Sequence, residues 1–299
     1  MLKRVLLFLA TNILVILTIS IITTALGVHS YLTSYGLDYE NLAIFCAIWG
    51  MTGSFISLLL SKVMAKFALG VVIINSKSAT KEERFLLDIV QTYTRRLNLP
   101  RMPEVGIYHS PELNAFATGP SKRDALVAVS SGLLANMNPD EIDGVIGHEM
   151  THIANGDMVT LTLLQGVINA FALFLSRVFA YVISMALSKN EDREEGPSFL
   201  IYNVLIITFD ILFTILGSIL VAAFSRWREY RADRGGAKLA GRDKMIAALK
   251  RLQTAMGYED DRAPSMATLK ISHRSSWLEL FSSHPPLDKR IEKLMYQNS

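Results

Sequence analysis

The sequence predicts an α-helical membrane protein that carries an α+β domain split around a transmembrane hairpin. Hydrophobic residues make up 51% of the 299 residues and charged residues only 19%, whereas a soluble domain averages about 25% charged residues. Four long stretches are almost wholly apolar, and about 20 such residues cross the hydrocarbon core of a bilayer. Two polar segments flank the second pair of stretches, so one domain is expected to be built from both.

The apolar stretches define four candidate transmembrane helices, at residues 5–26, 42–60, 158–187 and 199–224. Ala25 and Gly27 form a small-x-small site like that of a cleaved signal peptide. The first stretch is longer than the roughly 7–15 residues of a signal core, so an uncleaved anchor is expected. Gly50 and Gly53 would allow the second stretch to pack closely on the first.

Lysine and arginine residues predict the orientation of these helices. Residues 27–41 contain neither, and the loop at 188–198 has two basic residues against four acidic ones. Almost all other basic residues lie at the N-terminus or in 61–157 and 225–299. Because cytoplasmic loops are enriched in Lys and Arg, these segments are expected on the cytoplasmic face of a bacterial inner membrane.

The predicted organisation has four parts. They are an N-terminal transmembrane hairpin at 1–74, the first part of the α+β domain at 75–157, a second hairpin at 158–224 and the second part of the domain at 225–299. Residues 254–283 lack clear periodicity and are expected to form a loop. The lipid bilayer is therefore one expected partner, and the sequence leaves the oligomeric state open.

Composition argues against several classes of protein. The net charge is only +3, and no basic cluster is interleaved with aromatic residues, so no nucleic-acid partner is expected. Cys46 is the single cysteine, which excludes a disulfide framework within the chain and suits a reducing compartment. No phosphate-binding loop of the G-x-x-x-x-G-K-[ST] type is present, so ATP is not expected.

The polar segment at 75–157 predicts alternating helices and strands. Thr80 and Glu83 form a capping box before a run of apolar residues at helical spacing, which ends near Pro100. Short strands are predicted at 104–108, 115–118 and 125–130. A second helix begins after Asn138, with proline and two acidic residues in its first turn.

That second helix contains the sequence His148-Glu149-x-x-His152. Histidines four residues apart lie on one helical face, so their imidazoles can bind one Zn²⁺ ion. Glu149 is rotated by roughly 100° from His148 and can reach a metal-bound water without becoming a ligand. Zinc lowers the pKa of its water and the glutamate takes the proton, which is the chemistry of a hydrolase.

A catalytic zinc site needs a third protein ligand. The metzincin pattern requires glycine and histidine at positions where this chain has Asn155 and Met158, so that class is excluded. The downstream candidates are His273, His284 and a carboxylate, and Glu229 and Asp233 offer two carboxylates on one predicted helix. One of them could bind the metal while the other accepts a hydrogen bond from a ligand histidine. A solvated charged face is the alternative for this pair.

Four motifs together resemble the HtpX family, bacterial membrane-bound heat-shock zinc metalloproteases related to the CAAX prenyl proteases. The motifs are "HEMTHIANGDM", "NAFATG", "FSRWREYRADRGGAKL" and "SSHPPLDKRIEKL". The resemblance implies an α+β zincin-type protease domain of the gluzincin class, cleaving misfolded or damaged membrane proteins on the cytoplasmic side. It also implies that His148, His152 and Glu229 bind one zinc ion and that Glu149 is the general base. Asp233 then supports a ligand. Arg231 stands where a histidine is expected, and its side chain is expected to point away from the metal.

The same resemblance suggests residues on the substrate side. Asn114 is expected to hold a peptide backbone beside the cleft, although a plain turn asparagine before a strand is an alternative. His284 or Arg290 could stabilise the oxyanion of the tetrahedral intermediate, and a structural role in fixing the C-terminal helix is as plausible. A catalytically silent membrane chaperone or receptor with the same fold is the alternative function, but the presence of Glu149 argues against it.

Two charged residues interrupt the second hairpin. Arg177 is ten residues before Leu187, and Asp210 is eleven residues after Phe199. On antiparallel helices both lie about 15 Å from the far end of the hairpin. Since an unpaired charge in the bilayer centre is costly, a direct ion pair is predicted, with hydration in a cavity as the alternative.

Overall fold

The structure is a computed structural model that describes residues 2–28, 30–33, 36–188, 199–258 and 278–296. The candidate ligand His273 lies outside the described residues, as do the expected loop at 188–198 except for Ser188 and most of the expected loop at 254–283. The helices are α1 (Leu2–Ala25), α2 (Tyr39–Leu69), α3 (Lys81–Arg96), α4 (Ser131–Asn136), α5 (Pro139–Asn155), α6 (Asp157–Ser188), α7 (Phe199–Ala240), α8 (Arg242–Tyr258) and α9 (Leu287–Tyr296). The strands are β1 (Leu32–Thr33), β2 (Gly36–Leu37), β3 (Val72–Ile73), β4 (Glu104–Tyr108), β5 (Ala115–Ser121) and β6 (Asp124–Ser130).

The chain divides into two compact units, each made of two segments. The helical unit contains Met1–Ser57 and Leu161–Val221, and the α+β unit contains Leu58–Thr160 and Ala222–Ser299. The predicted boundaries of the α+β domain, 75–157 and 225–299, fall inside the second unit. The additional residues are the C-terminal part of α2, the strand β3 that follows it, and short stretches of α6 and α7.

Three helices among the described residues are long and apolar enough to cross a membrane: α2, α6 as far as Leu187, and α7. The described apolar part of α1, Leu9–Ala25, is a shorter helix. The chain is therefore a mostly helical membrane protein with three candidate spans, and the fourth predicted span remains a prediction.

The helical unit packs through a glycine contact that differs from the expected one. A Cβ atom on Gly50 would lie 2.4 Å from the backbone nitrogen of Ala170, so α2 packs closely on α6 at this point. Among the described residues, a Cβ atom on Gly53 would meet only the Val15 side chain of α1, at 4.0 Å. The expectation that both glycines pack on the first stretch is wrong for Gly50, because its missing side chain makes room for the backbone of α6.

Arg177 and Asp210 form the predicted ion pair within the helical unit. Nη1 of Arg177 lies 3.1 Å from Oδ1 of Asp210. The hydroxyl of Ser176 donates to the same carboxylate oxygen, and Nη1 also donates to the carbonyl of Leu173. The prediction of a direct pair is confirmed, and the backbone of α6 shares in holding the guanidinium.

A mixed four-stranded sheet forms one layer of the α+β unit, in the order β3-β4-β6-β5. β4 and β6 are parallel, and the outer pairs are antiparallel. Side chains of the sheet, α3 and α5 form the main core, which includes Leu86, Val90, Val127, Ile146 and Met150. Predicted and observed strands agree at 104–108, while the strand expected at 115–118 continues through a shifted register to Ser121.

Local signals set where the helices of this unit begin and end. Both predicted N-termini form capping boxes, one between Thr80 and Glu83 and one between Asn138 and Glu141. α3 ends at Arg96, four residues before Pro100. Gly156 adopts a left-handed conformation with φ of 70° and ends α5. The histidine helix therefore does not run straight into the third apolar stretch, because this glycine breaks it.

Candidate active site

His148 and His152 lie one turn apart on α5, and both side chains are buried. Their rings meet edge to face, and the two Nε2 atoms are 3.1 Å apart. Helical spacing accounts for this approach, because residues four apart share one face of the helix. The two nitrogens therefore point to a common position.

Glu229 on α7 brings a carboxylate to the same position. Its Oε2 lies 3.5 Å from Nε2 of His148, and its Oε1 lies 3.3 Å from Nε2 of His152. The side chain is 1% exposed, although it lies beyond the apolar part of α7. Donor atoms of these three residues all lie within 4.8 Å of one another.

Two glycines allow α7 to approach α5 so closely. A Cβ atom on Gly235 would lie 2.2 Å from Cγ2 of Thr151, and one on Gly236 would lie 3.0 Å from the backbone nitrogen of His148. Any side chain at Gly235 would separate the two helices. The pair Gly235-Gly236 thus determines the distance between Glu229 and the histidines.

Besides Glu229, each histidine contacts a carboxylate of its own that orients its ring. Nδ1 of His148 lies 2.9 Å from Asp233, and Nδ1 of His152 lies 2.7 Å from Asp157. If each Nδ1 carries the proton donated to its carboxylate, each Nε2 presents a lone pair. Two lone pairs and a carboxylate then converge, and Oε1 of Glu229 has no hydrogen-bond partner among the described residues. This donor set fits a cation, and His₂Glu is a ligand set of catalytic zinc.

Two arginines hold these outer carboxylates in turn. Arg290 on α9 donates from Nε and Nη2 to the two oxygens of Asp233, at 2.8 and 2.6 Å. Arg231 on α7 donates to Oδ1 of Asp157 at 2.5 Å. Both carboxylates are almost completely buried, so their pairing with arginine offsets the cost of burying the charge.

The hydrogen bonds keep the acidic groups ionised. Burial alone raises the pKa of Glu229, but the neighbouring imidazoles of His148, His152 and His284 outweigh it and hold the pKa far below its usual value. Burial also raises the pKa of Asp233, but the hydrogen bonds from Arg290 and His148 outweigh this effect, so the pKa is lowered overall. Burial lowers the pKa of His148, but Asp233 and Glu229 raise it to about 9. The pocket therefore favours a bound positive charge.

Glu149 lies between the two histidines of the HExxH motif, and its carboxylate is not engaged by a neighbour among the described residues. Its side chain is half-buried, and it makes no hydrogen bond or ion pair with any residue that the structure describes. It is also close enough to His152 and Arg290 to affect their charge. An unengaged carboxylate beside a metal-binding donor set is available to accept a proton.

The predicted substrate-side residues have different surroundings. His284 is 64% exposed on its side chain, and its Nδ1 lies 2.9 Å from Oε2 of Glu229. Arg290 is buried, with its guanidinium engaged by Asp233. Asn114 is exposed immediately before β5, and its backbone bonds to Ser130. Within the described part of the chain, no contact joins the Asn114 side chain to the donor set.

Asp157 and Arg231 were not predicted to belong to the site. The expectation that Arg231 points away from the metal overlooked its partner, because its guanidinium reaches the carboxylate that orients His152. The one signal that the sequence offered was Gly156, a residue typical of a helix end, followed at once by an acidic residue. Glycine at position 156 turns the chain back, so Asp157 lies beside the residue five positions before it.

The HExxH donor set and the apolar helices together place the chain among the membrane metalloproteases. The sequence pattern of peptidase family M48 matches residues 80–298, which is most of the chain. The chain therefore belongs to peptidase family M48, among its HtpX proteases.

Relatives cover almost the full length. "Protease HtpX homolog" of Methylacidiphilum infernorum is 49% identical over 300 residues, with 98% of each chain covered. "Protease HtpX" of Shewanella pealeana is 50% identical over 293 residues, covering 98% of this chain and 99% of that one. The crystal structure of S. mikatae Ste24p is similar in fold, with a TM-score of 0.63 and 16% identity. The comparison covers 99% of this chain but only 65% of Ste24p.

Proposed function

We propose that this metalloprotease is a zinc endopeptidase of the bacterial inner membrane that cleaves misfolded or damaged membrane proteins on the cytoplasmic side. The observation that carries the proposal is the convergence of two imidazole nitrogens and the Glu229 carboxylate beside an unengaged Glu149. The positions of Lys and Arg in the sequence support the cytoplasmic orientation.

One zinc ion per chain would be held by His148, His152 and Glu229. When bound, zinc polarises the scissile carbonyl and makes its water acidic near neutral pH. Asp233 and Asp157 fix the ring orientation and tautomer of the two histidines. Such outer partners also raise the basicity of the ligand nitrogens.

Glu149 is proposed to act as the general base. Its carboxylate takes a proton from the attacking water and then delivers it to the leaving amine, so that one residue serves both steps. The role needs a carboxylate near the site that is neither a ligand nor tied by hydrogen bonds. Glu149 meets both conditions within the described residues.

His284 and Arg290 are proposed to have separate roles. The exposed imidazole of His284 contacts Glu229 from the open side of the site, so it can donate a hydrogen bond to the oxyanion of the tetrahedral intermediate. Arg290 is buried and already occupied by Asp233, which favours a positioning role for its guanidinium.

The substrate backbone is proposed to bind along β5. Within the described residues this strand is at the edge of the sheet, so one row of its backbone groups can pair with an extended peptide. Asn114 stands at the start of the strand, with an exposed side-chain amide that can bond to the same peptide.

The test uses the purified full-length chain in detergent micelles. Zinc content and casein cleavage are measured for the unaltered protein, Glu149→Gln and His148→Ala, with a chelator-treated sample as control. Glu149→Gln should retain zinc and lose cleavage by several orders of magnitude, because the proton acceptor is removed while the ligands remain. His148→Ala should lose both.

Three results would count against the proposal. Cleavage by Glu149→Gln at a rate near that of the unaltered protein would remove Glu149 from the role of base. Casein binding without cleavage, with zinc bound, would support the alternative of a catalytically silent chaperone. A model substrate can hold its cleavable segment at different distances from the membrane by tethers of different length. Equal cleavage at every distance would argue against membrane-protein substrates.

A further inference from the structure

The helical unit contains a cavity of about 650 Å³ whose wall includes residues of α1, α2, α6 and α7. This volume is in the range of sites that take a ligand. Although the surrounding helices are apolar, the wall of the cavity contains many polar residues. It includes the side chains of Ser54, Ser57, Thr162, Gln165, Asn169 and Thr214.

Two facing amides leave hydrogen-bonding groups free in this cavity. Nε2 of Gln165 donates to Oδ1 of Asn169 at 2.8 Å. The Gln165 carbonyl oxygen and the Asn169 amide nitrogen then have no protein partner among the described residues. A free acceptor and a free donor in a hydrocarbon environment are costly unless water or a guest group binds them.

Asp210 adds a carboxylate oxygen to the same wall. Oδ1 receives the hydrogen bonds of Ser176 and Arg177, the latter at 3.1 Å, while Oδ2 has only a 3.5 Å contact with Arg177. The Asp210 side chain is 31% exposed and lines the cavity. Oδ2 can therefore accept a further hydrogen bond from a group that enters.

The helices around the cavity are also poorly covered by protein. Only 6% of the most apolar window of α7 is buried, and 17% of that of α6. A lipid tail could reach such surfaces but has no group that bonds to an amide or a carboxylate. A transmembrane helix can bring both an apolar surface and a polar side chain.

We propose that this cavity binds a hydrogen-bond-donating side chain, namely Lys, Arg, Asn or Gln, in a transmembrane segment of the substrate. This inference rests on the proposed function. Such side chains are normally satisfied by neighbouring helices, so a misfolded or unassembled membrane protein leaves them without a partner. The cavity would recognise that unsatisfied group in the membrane and thereby select damaged substrates.

The kinetic test compares two single-span substrates in liposomes containing the zinc-loaded, full-length enzyme. They share one cleavable cytosolic segment and differ only in a mid-span residue, Asn or Leu. One hydrogen bond between helices in a membrane contributes about 1–2 kcal/mol. We therefore expect kcat/KM to be about tenfold higher for the Asn span, which corresponds to about 1.4 kcal/mol.

Variants connect the preference to the cavity. The double change Gln165→Leu/Asn169→Leu should reduce the ratio of the two kcat/KM values to about one. Asn203→Leu is the matched control on α7, since Asn203 bonds to the carbonyl of Phe199 and does not line the cavity. It should keep the tenfold ratio. An equal rate for both spans, or a ratio that survives the double change, would overturn the proposal.

A binding measurement separates this proposal from the proposed function. A photoreactive residue is placed at Thr214, which lines the cavity, or at Thr208 on the same helix, which does not. In the Glu149→Gln background, position 214 should cross-link the Asn span at least several-fold more than the Leu span, and position 208 should show no preference. Capture of lipid, or equal capture of both spans, would refute the docking site. Failure of casein cleavage would instead refute the protease activity and leave the cross-linking result standing.

Discussion

Arg231 donates to one oxygen of Asp157, and the other oxygen of that buried carboxylate accepts from His152. The chain Arg231–Asp157–His152 therefore links α7 to one imidazole of the candidate metal site on α5 by a second route, besides the direct approach of Glu229. α7 thus carries the proposed ligand Glu229 and, through Arg231, also supports the orientation of the proposed ligand His152 on another helix.

Asp157→Asn should weaken zinc binding by about 10–100-fold, because the substitution removes the charge that orients His152 and increases its basicity. The affinity is measured by competition with a chromophoric zinc chelator. Asp88→Asn, an exposed carboxylate on α3, is the control and should bind zinc as the unaltered protein does. An unchanged affinity for Asp157→Asn would show that the outer carboxylate has no role in metal binding.

Asp233→Ala should destabilise the metal-free protein by about 3–5 kcal/mol, since it leaves the buried Arg290 without a counter-charge. The double change Asp233→Leu/Arg290→Met should cost less than the single one, because no unpaired charge remains. Thermal unfolding midpoints in the presence of a chelator give the comparison. A double variant less stable than Asp233→Ala would contradict this account.

Gly235→Ala should destabilise the protein by about 1–3 kcal/mol and reduce zinc affinity, because the new Cβ atom overlaps Thr151 and moves α7 away from α5. Lys238→Ala, exposed on the same helix, should alter neither property. Thermal midpoints and zinc competition are measured on the same preparations. Loss of stability with undiminished zinc affinity would mean that the helix distance does not determine the site.

Arg177→Ala should destabilise the protein more than Arg177→Ala combined with Asp210→Ala, because the single change leaves a carboxylate unpaired among apolar helices. The pair distance of 3.1 Å makes this coupling direct. A double-mutant cycle of thermal midpoints in lipid nanodiscs measures it. Strictly additive losses would show that each charge is satisfied separately by water.

Much of the fold could be predicted because its signals are local. Capping boxes gave the starts of α3 and α5, and β4 has the predicted bounds at 104–108. β3 has only two residues, so no period exists in its sequence. α8 was not predicted, although Met245, Ala248 and Leu249 recur at helical spacing and are buried. Its role depends on packing against α5 and α9, which no local pattern specifies.

The candidate site divides in the same way. The positions of His148 and His152 follow from helical spacing, whereas Glu229 was chosen among several candidates by the resemblance to the HtpX family. Asp157 could not be placed without knowing that Gly156 breaks the helix and returns the chain to His152. The contact of Arg231 with Asp157 depends on how α7 crosses that turn, which is a property of the tertiary structure.

Among the described strands none pairs with the outer edge of β5, which has a second consequence, for aggregation. Pro120 has no N–H to offer a neighbouring strand, and the ladder shifts register between Thr118 and Ser121, with Gly119 at a φ of 140°. An added strand can pair along the first part of β5 but cannot continue past this kink. A short extended peptide can therefore bind there, whereas the edge of another molecule's sheet cannot extend along it. The interruption protects a protein concentrated in the plane of a membrane from sheet-to-sheet association.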